Sequence, residues 1–187
     1  MSIFVEHPKD WIGIPEIGVG QRWEQPDRWA NDLLDEITAG EAVTAEQRAA
    51  LLEVLVFIAA TQEKRGSSGS FITLIVWSGP IYLVDMILQS RRSAGSISLE
   101  DYAGASAPDV AEPPLVEPFA TNSGLQGVRC IRYVVPEEQP PGIIACVDYA
   151  WEIDDSLLRL YAATYDLVDF ERGLPLFDTL AATVRQG

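Results

Sequence analysis

The sequence predicts an α+β fold: an antiparallel sheet flanked by helices, with the C-terminal helix packed on the sheet. Three observations carry that expectation. Residues 128–165 run as three stretches that alternate apolar and polar side chains with the two-residue period of strands, separated by turn residues. Leu176, Phe177, Leu180, Ala181 and Val184 then recur at helical spacing and form one apolar stripe. Upstream, Thr44 and Gln47 stand three apart at the head of an apolar run. That is the spacing of a capping box, in which each side chain satisfies the other's backbone N–H. The chain has 187 residues, enough for one domain with a sizeable core, and residues 1–187 are read as a single α+β domain.

Residues 1–25 read as an irregular arm, with prolines at 8 and 15 and glycines at 13, 18 and 20. Ile3-Phe4-Val5 suits a short strand. Gly18-Val19-Gly20 lacks the third glycine and the strand–helix context of a dinucleotide fingerprint. Trp11, Trp23 and Trp29 are the candidate binding residues. Either they pin the arm to the core, or they stand exposed as aromatic anchors for a partner. Asp27 to Ile37 reads as a short acidic helix, with Trp29, Leu33 and Ile37 four apart and Gly40 ending it. The helix opened by Thr44 is expected over residues 44–63. Its stripe is Ala49, Leu52, Leu55, Val56 and Ala59; Leu51, Val54 and Ile58 widen it, so much of the helix should be buried. Lys64 and Arg65 suit the negative pole of its dipole, and Gly66 stops it.

Gly66-Ser67-Ser68-Gly69-Ser70 reads as a flexible connector. It lacks the lysine of a phosphate loop and is not a Gly-x-Ser-x-Gly nucleophile elbow. Phe71 to Trp77 is a strand rich in β-branched residues, and Ser78-Gly79-Pro80 turns it. Ile81 to Gln89 fits a strand, although Leu83 with Ile87 and Val84 with Leu88 also fit a helix. The preceding turn favours a hairpin. Ser98 opens a short helix through Ala103. Residues 104–124 form a connection with a brief strand over Leu115 to Phe119.

Val128 to Val135 is the first of the three closing strands. It carries Ile131, Tyr133 and Val135 on one face and Cys130, Arg132 and Val134 on the other. Pro136 to Gly142 is a polar, proline-rich turn. The second strand, Ile143 to Glu152, puts Ala145, Val147, Tyr149 and Trp151 on one face and Asp148 and Glu152 on the other. After a tight turn at Asp154-Asp155, the third strand runs from Leu157 to Tyr165. Folding at the turns sets Val147, Tyr149 and Trp151 across from Leu158, Leu160 and Ala162, giving one greasy face that a helix must cover. Gly173-Leu174-Pro175 is read as the opening of that helix, with Arg185 at its negative pole.

Acids outnumber bases by 28 to 13, a formal charge of −15. Nucleic acid and anionic membranes are disfavoured as partners, since both need a basic surface. No apolar run reaches about 18 residues, the length a membrane span requires. The start lacks a basic region followed by a long apolar core, so no signal peptide is expected and the compartment is read as cytoplasmic.

The order of elements is a helical N-terminal third, a hairpin, the Ser98–Ala103 helix, a meander and the Leu176–Ala181 helix. It resembles the PsbP-like α/β/α sandwich over residues 70–186. That fold is shared by photosystem PsbP proteins, LpqN-type mycobacterial lipoproteins and a Ran-GTPase release factor. The resemblance implies a domain that binds other proteins, and it carries over no catalytic residues. The chain departs from the LpqN type in lacking a lipoprotein signal and an initial cysteine. The helix over residues 44–63 stands outside the resemblance.

The residues themselves offer little chemistry. His7 is the lone histidine, so a Ser-His-Asp or Cys-His pair would depend on it. One His and two Cys fall short of the several ligands a zinc-type site needs, and no metal or cofactor is expected. Asp148, Glu152, Asp154 and Asp155 lie close in sequence, but Asp at a hairpin turn is ordinary turn chemistry. Cys130 and Cys146 are expected as free, buried thiols on one face of neighbouring strands, roughly opposite each other. The leading function is therefore a non-catalytic, acidic protein-binding domain, such as an immunity or secretion accessory protein, whose partner offers a basic patch. A small-molecule binding domain using the concave sheet face and a carboxylate-dependent enzyme stay open as alternatives, as does the oligomeric state.

Overall fold

A computed structural model describes residues 3–74, 79–136 and 142–187. Seven strands form one antiparallel sheet: β2 (Trp11–Ile14), β3 (Gly69–Leu74), β4 (Ile81–Ser90), β5 (Leu115–Ala120), β6 (Gln126–Val134), β7 (Ile144–Ile153) and β8 (Ser156–Thr164), after a short β1 (Ile3–Val5). Their order across the sheet is β2-β3-β4-β8-β7-β6-β5. The helices are α1 (Pro26–Ile37), α2 (Ala45–Ala60), α3 (Arg91–Ala94), α4 (Leu99–Tyr102) and α5 (Leu167–Ala181); β9 (Val184–Gln186) pairs with β1. The predicted α+β class, with the C-terminal helix against the sheet, is what the chain adopts.

The two-residue period sets the register of the central hairpin. Val147 pairs with Ala162, Tyr149 with Leu160 and Trp151 with Leu158, as the sequence predicts. These side chains make one face, and α5 covers it with Phe170, Phe177, Leu180 and Ala181. Tyr149 and Trp151 stack at 6.3 Å, and Phe119 meets both edge-on. Burying each such aromatic stabilises the fold by roughly 1.5–3 kcal/mol before entropy is counted. The opposite face is covered twice. α1 and α2 pack Leu34 and Leu55 onto Ile14 and Ile72. α4 packs Tyr102 with Ala103 onto Cys130, Ala150 and Leu157.

Local signals hold where they are strictly local. Thr44 accepts from the Gln47 N–H and the Gln47 side chain accepts from the Thr44 N–H, the full capping box. Ser98 caps α4 through the Asp101 N–H. Ile81 to Ser90 is a strand of a hairpin and not a helix. Residues 75–78 of the predicted Phe71–Trp77 strand and its turn, and residues 137–141 of the proline-rich turn, lie outside the described residues.

Other expectations change. The last helix opens at Leu167, capped by Asp166, which accepts from the Val168 and Asp169 N–H groups; Gly173 and Pro175 are inside it. Proline removes the N–H that would reach Glu171, but both residues are exposed, so water can serve that carbonyl. Val184 and Arg185 leave the helix for β9, where Arg185 pairs with Glu6 rather than with a helix pole. The arm is not irregular throughout, because Trp11–Ile14 forms an edge strand on β3. The glycine-serine stretch is no free connector: Ser68 N–H donates to Met86 O at 2.7 Å, and Ser70 is buried. α2 stops at Ala60, and a 3₁₀ turn over Glu63–Arg65 ends at Gly66 in the left-handed region, φ 68°.

Candidate functional site

Polar side chains gather on the sheet face between the α1–α2 pair and α4. Register puts them there: Asp85 pairs with Tyr161, Tyr161 with Asp148, and Asp148 with Cys130, so all four share one face. Asp85 accepts from Arg65 Nε at 2.7 Å and Nη2 at 3.1 Å, and from Ser70 Oγ at 2.5 Å. Arg65 Nη1 also donates to Ile58 O and Thr61 Oγ1. One guanidinium thereby ties the end of α2 to the sheet. Asp148, fully buried, accepts from both Arg132 and Arg159. Arg132 donates further to Ala103 O at the end of α4. Both guanidiniums lie over the Tyr161 ring, at 5.8 and 5.2 Å.

This stripe fastens helices to the sheet. Desolvation pushes the Asp148 carboxyl up, and the two guanidiniums pull it back. Burial raises the Cys130 thiol to about 11, with Asp148 adding to the rise. Burial raises Cys146 as well, against the Tyr161 hydroxyl 3.7 Å away. Both thiols therefore hold their protons at neutral pH, whereas nucleophilic sulfur chemistry uses the thiolate. They are free and buried, as expected. They are not opposite each other, however. Cys130 faces Asp148 and Cys146 faces Arg132, so the two cysteines are diagonal neighbours. The register is shifted by two residues from the one that would set Cys130 opposite Cys146.

The three tryptophans do not form one site. Trp11 is buried beneath α5, its ring 6.4 Å from Phe177. Trp29, on α1, is buried in the core that α1 and α2 form with the sheet. Trp23 is half-buried; its indole N–H donates to Asp32 at 2.8 Å, and the Arg22 guanidinium lies 4.1 Å from its ring. An open groove there is walled by Trp23, Trp29, Asp32, Asp35 and Glu36. His7 sits near the Phe71 ring at 6.0 Å. The acids around the β7–β8 turn diverge: Asp148 points inward, Glu152 pairs with Arg91, and Asp154 adopts φ 52° in the turn. No group of three or more His, Cys, Asp or Glu side chains among the described residues could hold a metal ion. No described helix is long and apolar enough to cross a membrane.

One surface feature lies outside the predicted residues. α2 buries only Leu51, Leu55, Ile58 and Ala59, so the expectation that Val54 is enclosed does not hold. Val54 is 42% exposed and Phe57 66%. Ala50, Val54 and Phe57 follow one another at i, i+4 and i+7 on the water side, with exposed Glu46 and Glu53 beside them. The signal was in the sequence: residues 49–60 hold one charged side chain, so no rotation of this helix hides every apolar group. No protein-family model matches the chain, and no curated protein matches it.

Proposed function

We propose that this protein is a non-catalytic acidic domain that binds another protein through a basic patch on that partner. The observation that carries the reading is where the positive charge goes. The best-shielded arginines are each committed to carboxylates of this chain: Arg65 to buried Asp85, Arg132 and Arg159 to buried Asp148, and Arg129 to the part-exposed Asp178 and Glu117. The excess of 28 acids over 13 bases is therefore left largely on the surface. Such a surface attracts a basic partner from a distance and repels acidic ones. Helices on both faces of an antiparallel sheet are compatible with the PsbP-like resemblance, whose members mostly bind proteins.

Affinity capture with the full chain at physiological salt, followed by stopped-flow association at several ionic strengths, tests the reading. The expected result is a protein partner with a basic surface whose association slows as salt rises. A tight small ligand with no protein partner, or association rates indifferent to salt, overturns it.

A further inference from the structure

The exposed face of α2 is a second feature that needs a covering. A helix apolar on every side is ordinarily enclosed. Here one side packs on α1 and the sheet, and the other stays in water. Between α2 and the start of β4 runs an open groove of about 420 Å³, lined by Ala50, Leu51 and Val54 on one side and Gly79, Pro80 and Ile81 on the other. Gln47 is its one polar side chain among the described residues. Phe57 stands one turn beyond it.

Resting on the reading of an acidic protein-binding domain, we infer that this groove and Phe57 receive an amphipathic, basic-edged helix of the partner protein. Ala50, Val54 and Phe57 have the i, i+4, i+7 spacing that meets an apolar helix stripe. Ala50 is small enough to let a second backbone approach. Glu46 and Glu53 are exposed on the same side of α2, so they face the flanks of whatever docks. Lysines or arginines at the partner's edges complement them. A second copy of this chain would bring its own Glu46 and Glu53 and another −15 charges to the contact. Anionic lipid is repelled for the same reason.

The probe is a synthetic helical peptide with a leucine stripe flanked by lysines, beside a twin with glutamates in place of the lysines. Both are titrated into the full chain at physiological salt, with binding read by anisotropy and the site by amide chemical shifts. The lysine peptide is expected to bind about tenfold or more tighter than its twin, with shifts confined to α2 and residues 79–81. Phe57→Ser should weaken it by about tenfold. Phe57 is largely exposed, so that variant keeps its circular dichroism and unfolding midpoint. Glu53→Lys should narrow the gap between the two peptides.

Shifts that map instead to the acids of α1 overturn the docking site while leaving the acidic reading intact. Equal affinity for both peptides at α2 overturns the basic-edged occupant. No binding of either peptide overturns the inference, and the salt-dependent capture above then decides the acidic reading separately. A dimer in sedimentation that Phe57→Ser dissolves would assign the face to a second copy, and vesicle binding lost in Phe57→Ser would assign it to lipid; either result overturns the proposal.

Discussion

Arg132 and Asp148 lie diagonally across β6 and β7 and form an ion pair in which neither side chain is more than 9% exposed. Arg159 reaches the same carboxylate from β8. Removing one member of a buried pair strands the other without its hydration or its partner. Asp148→Asn is therefore expected to cost about 3–5 kcal/mol. Urea denaturation measures it. A loss under about 1 kcal/mol would mean that the guanidiniums find water when the charge is gone.

Gly173 sits inside α5 because two rings need its space. A Cβ there would stand 2.8 Å from Phe177 Cζ and 2.8 Å from Tyr82 Cε1. Both rings are buried and cannot swing away. Gly173→Ala should destabilise by about 1–3 kcal/mol despite alanine's better helix propensity. Phe177→Ala should cost about 3–5 kcal/mol. Combined, the two should cost less than their sum, because the new methyl fills part of the vacated ring space. A stabilising Gly173→Ala would show that α5 does not press on these rings.

Cys130 gives the fold an alkaline limit. Its thiol ionises near 9.0 when unexposed to the fold and near 11 inside it. Between those values the unfolded chain loses the proton while the native chain keeps it. The contribution is complete below about pH 9 and is lost as pH rises through about 11. Burial also raises Tyr149 and Tyr161, which extends the loss in the same direction. Urea midpoints should fall across this range, and fall less steeply in Cys130→Ala. In native protein both cysteines should label slowly, and two thiols should appear on denaturation. Fast native labelling would contradict the burial argument.

Arg65 holds the last turn of α2 to Asp85. Arg65→Lys loses the forked contact and one of the bonds to Ile58 O and Thr61 Oγ1. A cost of about 1–3 kcal/mol is expected. Amide exchange should rise at residues 58–62 before it rises in β7 or β8. Uniform exchange across the chain would show that the contact does not hold the helix end.

How much of this was legible in the sequence depended on distance along the chain. Strand faces, the Val147–Ala162 register and the Thr44 capping box rest on residues a few positions apart or on one tight turn. Periodicity and turn chemistry fix those without outside help. The start of α5 is hidden in the sequence because Gly173 and Pro175 look like a helix opening, whereas Asp166 supplies the cap and the Tyr82 and Phe177 rings require the glycine. The roles of the tryptophans were likewise open: all three are aromatic and apolar in sequence, and only packing separates buried Trp11 and Trp29 from half-buried Trp23. The Arg132–Asp148–Arg159 and Arg65–Asp85 groups could not be read at all. They exist because β4, β8, β7 and β6 lie side by side, an order set by which apolar faces bury together. The sequence by itself determined which residues face together within each strand and helix. The tertiary structure decided which charges meet and that one side of α2 stays in water, because burial of charge and of surface depends on neighbours brought in from far along the chain.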